Sequence, residues 1–337
     1  MPASKDARLA GDETINVIVP VGAIGAGLRE ADVLRGLALG AHAIACDAGS
    51  TDSGPAYLAT GRSKYSRDSV KSDLAILMRA RALAGIPLLI GSCGTSGCDM
   101  AVDWMYDIAC EIAEEQGDSP RIARLYSEQD PSAIAKAAAD GLVDPLAPIE
   151  GASPELFLQC DHIVALMGCE PYIEALLEGA DIILGGRTTD TAVIAAVPVM
   201  LGAGQGPAWH AGKTAECGGQ CTTRSRDGGV IVRVGNDFFD VEPLALSNTC
   251  TPHTVAAHML YENSDPFRLI EPGGILDVEH SAYTAIDDRI VRVTGSSFNP
   301  APYTMKLEGA AAGRFQTIML VGIRDPKVLG ALDRFLA

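Results

Sequence analysis

The chain has few aromatic residues, a deficit of positive charge and no long apolar run. Aromatic residues make up 5% of its 337 residues, so the stacking rings that bind single-stranded nucleic acid are scarce. The formal net charge is −17, and no basic patch offsets it, which argues against binding to phosphate backbones or anionic membranes. No apolar stretch approaches the roughly 18 residues of a membrane span. We therefore expect neither nucleic acid nor a membrane as a partner.

The cysteines do not form a recognisable framework. There are nine of them, an odd number, and the polar residues 1–12 lack the apolar core of a signal peptide. Both observations predict reduced thiols in a cytoplasmic protein. Cys217 and Cys221, with His210 nearby, do not match the spacing of a zinc motif, so we predict no metal ligands among them.

What the sequence does contain is a series of short apolar runs, each followed by Gly, Ser, Thr or Asp. Apolar residues make up 47% of the chain, enough for a sizeable core. The runs predict buried strands at 14–21, 41–46, 86–90, 121–126, 162–167 and 180–184. Helical patterns lie between them at 30–39, 69–83, 98–116, 131–139, 171–177 and 191–201, and residues 52–65 are predicted as a loop. This alternation predicts an α/β fold, with a mostly parallel sheet and helices on both faces.

The pattern changes after residue 225. Residues 229–234 and 237–241 alternate around a Gly-Asn turn and predict a hairpin. Further strands are predicted at 289–293, 303–307 and 317–322, and helices at 254–262 and 327–336. We therefore predict two domains: an α/β domain at 1–225 that carries the polar strand-end loops, and a smaller α+β domain at 226–337. The last predicted helix has no C-terminal cap, so the sequence leaves open that the chain is a fragment.

Three of the strand-end loops are dense in polar side chains: residues 47–54, 91–97 and 185–191. Because the carboxyl ends of parallel strands lie along one edge of a sheet, we expect these loops to line one cleft. Carboxylates gathered in a cleft can have their pKa values pushed apart and then serve as acid and base, or they can hold Mg²⁺. The candidate catalytic residues are Asp47, Asp52, Asp190 and Glu216.

Arg187 is the candidate for binding an anionic substrate. It follows two glycines at the end of a predicted strand, and its planar guanidinium suits a carboxylate or phosphate. An internal ion pair with Asp190 or Asp52 stays open as the alternative. The loop at 91–97 precedes a helix, so its N–H groups could bind a second anion or simply form a tight turn. The candidate substrate-binding residues are Arg187, Ser92, Gly94, Thr95, Ser96, Thr188 and Thr189.

Two further patterns suggest other chemistry. The glycine-rich turn at 22–27, with Asp47 at the end of the next strand, partly matches a dinucleotide-binding turn, but Ile24 stands where that pattern needs glycine. A tight turn without a ligand is the alternative. Cys93, in the loop at 91–97, could act as a nucleophile if His162 or His253 approached it.

In their order along the chain, these motifs resemble the family of acyclic terpene utilisation protein A. The shared elements are the initial β-α-β unit and five later segments: IPLLIGSCGTSGCD at 86–99, GGRTTDT at 185–191, ECGGQ at 216–220, TVAAHMLYE at 254–262 and PAPYT at 300–304. The resemblance extends over nearly the whole chain. The loop at 47–55 departs from the pattern that we expect of the family. The chain also stops where we expect further residues, so a C-terminal portion is either missing or belongs to a separate partner.

The resemblance implies a catabolic role in the breakdown of branched, terpenoid-derived acids as acyl-CoA thioesters, but it supplies no catalytic residues. CoA would then enter as part of the substrate, and no resident cofactor is identified. We predict lyase, hydratase or isomerase chemistry on a small anionic substrate. A nucleotide- or dinucleotide-binding enzyme and a non-catalytic subunit of a two-component enzyme remain as alternatives. We expect a homo-oligomer, with room for a small second subunit.

Overall fold

The fold is built around one large β-sheet with helices on both faces. The computed structural model describes residues 9–146, 151–261, 263, 265–311, 313 and 322–336. Within these residues the strands are β1 (Ile15–Val19), β2 (Ala43–Asp47), β3 (Leu88–Gly91), β4 (Ile122–Leu125), β5 (His162–Ala165), β6 (Ile182–Gly185), β7 (Val230–Val234), β8 (Phe238–Pro243), β9 (Arg268–Glu271), β10 (Gly274–Asp277), β11 (Ala282–Ala285), β12 (Val291–Thr294), β13 (Ser297–Pro300) and β14 (Leu307–Ala310). The helices are α1 (Glu30–Ala38), α2 (Pro55–Thr60), α3 (Arg67–Ala84), α4 (Asp99–Gln116), α5 (Pro131–Ala139), α6 (Pro154–Phe157), α7 (Glu170–Leu177), α8 (Asp190–Met200), α9 (Gln205–Ala215), α10 (Pro252–His258), α11 (Pro326–Leu329) and α12 (Leu332–Leu336).

Nine of the described strands form one mixed sheet, in the order β11-β12-β8-β7-β1-β2-β3-β6-β4. From β1 to β4 the neighbours are parallel. From β1 towards β11 they are antiparallel, because the chain after residue 225 returns through the hairpin of β7 and β8. The α/β class is therefore confirmed, but the sheet is mixed rather than mostly parallel. The sheet continues across residue 225, and the two-domain division stays a prediction.

The two faces of the parallel strands are covered by different helices. Val17 and Ala45 belong to the apolar cluster that includes residues of α7, α8 and α9. Ile18 and Ile44 belong to the cluster that includes residues of α1, α3 and α4. Because successive side chains of a strand point to opposite faces, strands buried on both faces appear as continuous apolar runs. This is why the sequence predicts these strands correctly.

Helix α9 is missing from the sequence prediction, because its glycines and proline resemble a loop. All of its residues from Gly206 to Ala215 are buried, so packing rather than intrinsic propensity stabilises it. A Cβ at Gly212 would lie 2.5 Å from the carbonyl oxygen of Thr191 in α8. The two helices therefore approach backbone to backbone, which brings Glu216, directly after α9, towards Asp190 at the start of α8.

Other elements also differ from the predictions. Residues 55–60, predicted as a loop, form α2, which begins with proline at a position where no N–H is needed. β5 lies outside the main sheet and pairs antiparallel with β14. The strand predicted at 303–307 begins only at Leu307, and the one predicted at 317–322 lies, except for Gly322, outside the described residues. The sequence does not predict β9, β10, β11 or β13. Among the helices that the structure describes, none is long and apolar enough to cross a membrane.

Substituting Gly212 by alanine tests the close contact of α8 and α9. The added methyl group would have to separate the two backbones, although alanine by itself favours a helix by about 1 kcal/mol over glycine. We expect a net loss of about 1–3 kcal/mol in the free energy of unfolding, measured by urea denaturation.

Gly330→Ala is the matched control for this substitution. Gly330 has a helical φ of −71°, is exposed, and a Cβ there would meet no atom closer than 3.3 Å. We expect its free energy of unfolding to change by less than about 0.5 kcal/mol. Equal losses in both variants would contradict the proposed backbone contact.

Candidate functional site

A cavity of about 120 Å³ lies at the carboxyl ends of β1 and β2. Its walls come from the loops that follow these strands, from the start of α8 and from the residues after α9. Three of the four predicted catalytic carboxylates line it together: Asp47, Asp190 and Glu216. Asp52 does not line it; this side chain is exposed and accepts a hydrogen bond from Ser50 Oγ. The convergence expected at the sheet edge thus holds for three carboxylates from distant parts of the chain.

Arg187 lies beside the cavity, but its guanidinium is engaged within the protein and its side chain is 4% exposed. Nε and Nη2 donate to the two carboxylate oxygens of Glu308 at 2.9 and 3.4 Å. Nη1 donates to Asp190 Oδ1 at 3.1 Å and to Ser92 Oγ at 2.9 Å. Burial opposes the charge, but Asp190 and Glu308 together raise the pKa of Arg187 above its ordinary value. The ion-pair alternative is therefore what this geometry displays: Arg187 orients two carboxylates.

The glycine-rich loop after β3 is packed beneath the cavity wall. Ser92, Gly94, Thr95 and Ser96 are all buried. Thr95 Oγ1 accepts a hydrogen bond from the backbone N–H of Lys64 at 2.9 Å. Ser92 and Thr95 have φ values of +47° and +81°, which are costly for residues with a Cβ. The loop supports Arg187 on one side and the Lys64 segment on the other, and none of its four candidate residues lines the cavity.

The two threonines after Arg187 also bond within the protein. Thr188 Oγ1 donates to the carbonyl oxygen of Gly186 at 2.9 Å and lies 2.8 Å from the hydroxyl of Tyr172. Thr189 Oγ1 accepts from the backbone N–H of Ala192 and caps α8. Their visible role is to fix the start of α8, and with it Asp190.

The glycine-rich turn at 22–27 binds a carboxylate of the protein itself. The buried side chain of Asp73 accepts hydrogen bonds from the N–H groups of Gly25, Gly27 and Leu28, at 2.8 to 3.2 Å. A dinucleotide would need such N–H groups for its pyrophosphate. The geometry therefore favours the tight-turn interpretation of this segment.

The floor of the cavity carries more negative than positive charge. Lys213, in α9, forms a buried ion pair with Glu216. Glu271, at the end of β9, is buried and accepts a hydrogen bond from Thr191 Oγ1. In this part of the described structure five carboxyl groups stand against four cations: Asp47, Asp190, Glu216, Glu271 and Glu308 against Lys64, Arg187, Lys213 and Lys306.

Burial and mutual repulsion change the acidity of these carboxyl groups. Burial, reinforced by the charge of Asp190, raises the pKa of Asp47 well above its usual range. Burial is also the largest cause that raises the pKa of Glu216 to about 8 and that of Glu271 to about 7. Asp47 Oδ1 and Glu271 Oε2 are buried without a hydrogen-bond partner in the described structure. The site thus contains carboxyl groups that can hold a proton near neutral pH, beside an Asp190 that is paired with a guanidinium.

Two groups of side chains in the described residues could hold a metal ion. In the first, Glu216, Cys217 and His258 have ligand atoms within 4.8 Å of one another. The sequence instead places Cys221 and His210 near Cys217. His210, however, packs edge-on against Phe239 and Tyr283. The side chains grouped with Cys217 are those of Glu216 and His258.

The second group consists of Cys98, Glu128 and His162, also within 4.8 Å of one another. His162 was a candidate partner for Cys93, but it shares a hydrogen bond with Glu128 beside Cys98. Cys93 is buried, and burial raises the pKa of its thiol. His253 is exposed. The structure therefore gives Cys93 no histidine partner within the described residues.

Five residues of the site were not found from the sequence: Lys64, Lys213, His258, Glu271 and Glu308. Lys213 stands three residues before Glu216, a helical spacing that would have signalled the pair if α9 had been predicted. His258 lies inside a segment used for the family resemblance, but nothing local marked its role. Glu308 could not be found, because the strand that carries it was predicted four residues too early.

Comparison with known proteins gives one family. A family model described as acyclic terpene utilisation family protein AtuA matches residues 90–333. The matched part is well over half of the chain and includes Arg187, Asp190, Glu216 and His258, but it begins after Asp47 and the other residues of the loop at 47–55. No curated protein and no solved structure matches the chain.

The Arg187–Glu308 pair predicts a loss of stability in acid. Burial opposes ionisation, but Arg187 and Lys306 lower the pKa of Glu308 from 4.5 to about 2. Because this pKa is lower in the folded than in the unfolded chain, the contribution is complete above about pH 4.5 and is lost as the pH falls towards 2. We expect Glu308→Gln to reduce the free energy of unfolding by about 3 kcal/mol at neutral pH, measured by urea denaturation, and to flatten its acid dependence.

Glu279→Gln is the control, because it removes an exposed ion pair with Arg268. We expect a loss of less than about 1 kcal/mol there. A Glu308→Gln variant as stable as Glu279→Gln, with unchanged acid dependence, would show that the buried pair contributes nothing.

Proposed function

This chain belongs to the acyclic terpene utilisation (AtuA) family, and from that premise we propose that it is a catabolic enzyme for a small carboxylic acid or its acyl-CoA thioester. Its reaction is a proton transfer of the lyase, hydratase or isomerase type. The observation that carries the proposal is the presence of Asp47, Asp190 and Glu216 in one cavity, although they come from distant parts of the sequence. Carboxyl groups are among the side chains that can carry out acid–base chemistry next to a carbonyl group.

Asp47 and Asp190 supply the acid and the base in this proposal. Asp47 is 4% exposed, its pKa is raised by burial, and its Oδ1 has no partner in the described structure, so it is suited to donate a proton. Asp190 is 23% exposed at its side chain and is oriented by Arg187, so it is suited to accept one. Two carboxyl groups in different surroundings are a common solution to acid–base catalysis.

We assign recognition of the anionic substrate to Lys64 rather than Arg187. Lys64 lines the cavity, and its Nζ lies 3.2 Å from Ser53 Oγ near the entrance. Arg187 has its donors directed at Glu308, Asp190 and Ser92. A volume of about 120 Å³ suits a small acid or the acyl end of a thioester, with any CoA moiety outside the cavity.

Asp73 argues for this chemistry over the nucleotide alternative, because it already satisfies the N–H groups of the 22–27 turn. A homo-oligomer and a small second subunit stay predictions. Inactivity of the chain alone, restored by a partner, would favour the two-component alternative.

Exchange of carbon-bound hydrogen tests the roles of Asp47 and Asp190. A panel of branched, α,β-unsaturated carboxylic acids and their CoA thioesters is incubated with the protein in D₂O. NMR then measures deuterium incorporation next to the carbonyl carbon. We expect Asp47→Asn and Asp190→Asn to slow exchange at least about 100-fold, the usual contribution of one acid or base. The control Asp107→Asn, at an exposed position of α4, should exchange at the wild-type rate. Wild-type rates in both site variants would refute the assignment.

Kinetics of the substrate identified in that panel test the role of Lys64. We expect Lys64→Met to raise KM about 10-fold with kcat little changed, as expected for a group that binds ground state and transition state equally. Arg187→Lys should instead lower kcat, because Asp190 loses its orienting partner. Lys71→Met, which removes a surface pair with Glu111, is the control. A raised KM in Arg187→Lys alone would return substrate recognition to Arg187.

A further inference from the structure

Glu216, Cys217 and His258 form a cluster at the floor of the cavity, and we propose that it binds one divalent ion of the zinc class. Their ligand atoms lie within 4.8 Å of one another, close enough for a single ion to reach all three after small side-chain rotations. The cluster uses other side chains than the Asp47–Asp190 pair but shares its cavity through Glu216 and Cys217, and nothing in the family match assigns it.

The donor types select the class of metal. A thiolate, an imidazole and a carboxylate are the ligands that zinc and cobalt(II) prefer, whereas Mg²⁺ and Ca²⁺ prefer oxygen ligands alone. Glu216 and Cys217 follow α9 directly, and His258 is the last residue of α10. A Cβ at Gly22 would come within 2.9 Å of the backbone of Cys217, so the loop after β1 packs tightly against the two adjacent ligands and holds them in place.

His258 is the strongest sign that a ligand belongs at this place. It is 5% exposed, and its Nε2 is buried without a hydrogen-bond partner in the described structure. Leaving such an atom unsatisfied costs free energy, and a bound ion is one of the ways in which native proteins satisfy it. The ring stacks on that of Tyr261, with centroids 5.6 Å apart, so its plane is fixed.

The charge balance also favours a cation. The cation that acts on both Glu216 and Glu271 is Lys213, and a divalent ion would offset part of the remaining negative charge. Lys213 Nζ donates a hydrogen bond to Oε1 of Glu216, and we assign the second oxygen, Oε2, to the metal. A hydrogen bond to a ligating carboxylate is a normal feature of metal sites.

The position of the cluster makes it a site of the catalytic rather than the structural kind. Glu216 and Cys217 line the cavity, so a fourth coordination position would face the space where substrate binds. Catalytic zinc sites have three protein ligands and one open position. An ion there could polarise a carbonyl oxygen. The inference rests on the ligand set and is independent of which substrate the enzyme uses.

The group of Cys98, Glu128 and His162 is the weaker candidate, because its members satisfy one another. His162 Nδ1 shares a hydrogen bond with Glu128 Oε1, and Glu128 Oε2 accepts from the N–H of Asp99 at 3.0 Å. In the Glu216–Cys217–His258 cluster, by contrast, His258 Nε2 is buried without a hydrogen-bond partner in the described structure. Each group contains one cysteine, Cys98 or Cys217, so cysteine variants can separate the two groups in one experiment.

Cobalt(II) is the probe. The untagged full-length protein is stripped with a chelator, dialysed and titrated with CoCl₂, and its absorption is recorded without any substrate. We expect saturable binding with a near-ultraviolet band from thiolate-to-cobalt charge transfer. Cys217→Ser should abolish that band, and His258→Gln should weaken cobalt binding at least about 10-fold. Circular dichroism establishes that each variant is folded.

Two cysteine variants serve as controls. Cys221→Ser, at a buried cysteine four residues beyond Cys217, should keep the band, and Cys98→Ser should keep it as well. Loss of the band in Cys98→Ser but not in Cys217→Ser would place the metal in the other cluster and overturn the proposal. Absence of saturable binding, or a band insensitive to Cys217→Ser, would also overturn it. Because no turnover is measured, these results do not depend on the proposed reaction.

Discussion

The buried ion pairs of Arg187 are the constraint on which the arrangement of the cavity depends. The guanidinium joins three segments that are distant in sequence: the loop after β3 through Ser92, the start of α8 through Asp190, and β14 through Glu308. A buried charge without partners would cost several kcal/mol, so the two carboxylates are required for Arg187 to lie there at all. The guanidinium in turn fixes their positions. Asp190 is held at the cavity wall, and β14 is held beside β5, although neither strand belongs to the main sheet.

At the floor of the cavity the negative charge is not balanced by positive charge, as it is around Arg187. Lys213 offsets only part of the negative charge of Asp47, Glu216 and Glu271, and burial makes each remaining charge expensive. A protein can relieve such an excess in two ways, by keeping carboxyl groups protonated or by binding a cation. The proposed proton transfer uses the first way, and the proposed metal site uses the second. Both follow from the same distribution of charge, although they are tested independently.

Part of this architecture could be predicted from sequence, and the rest depends on contacts that no local pattern reveals. Strands buried on both faces, such as β2 and β6, appear as continuous apolar runs, and the polar residues after them pointed to Asp47 and Asp190. Helix α9 escaped prediction because backbone contact with α8, rather than propensity, stabilises its glycine-rich sequence. Glu308 is 121 residues away from Arg187. Nothing in the residues around either position indicates that they pair, so the sequence suggested Asp190 or Asp52 as an internal partner of Arg187 but not Glu308.

The residues that line the cavity come from two stretches of chain, one before the start of the family match and one within it. Asp47 and Lys64 precede residue 90, where the family match begins, whereas Asp190, Glu216 and Cys217 lie within it. The cavity therefore combines residues inside the family match with residues that precede it. Glu308 connects the two stretches, because its Oε2 accepts hydrogen bonds from Arg187 Nε and from Thr51 Oγ1. A substitution at Thr51 would therefore disturb the carboxylate that holds the guanidinium of Arg187, although the two residues are far apart in the sequence.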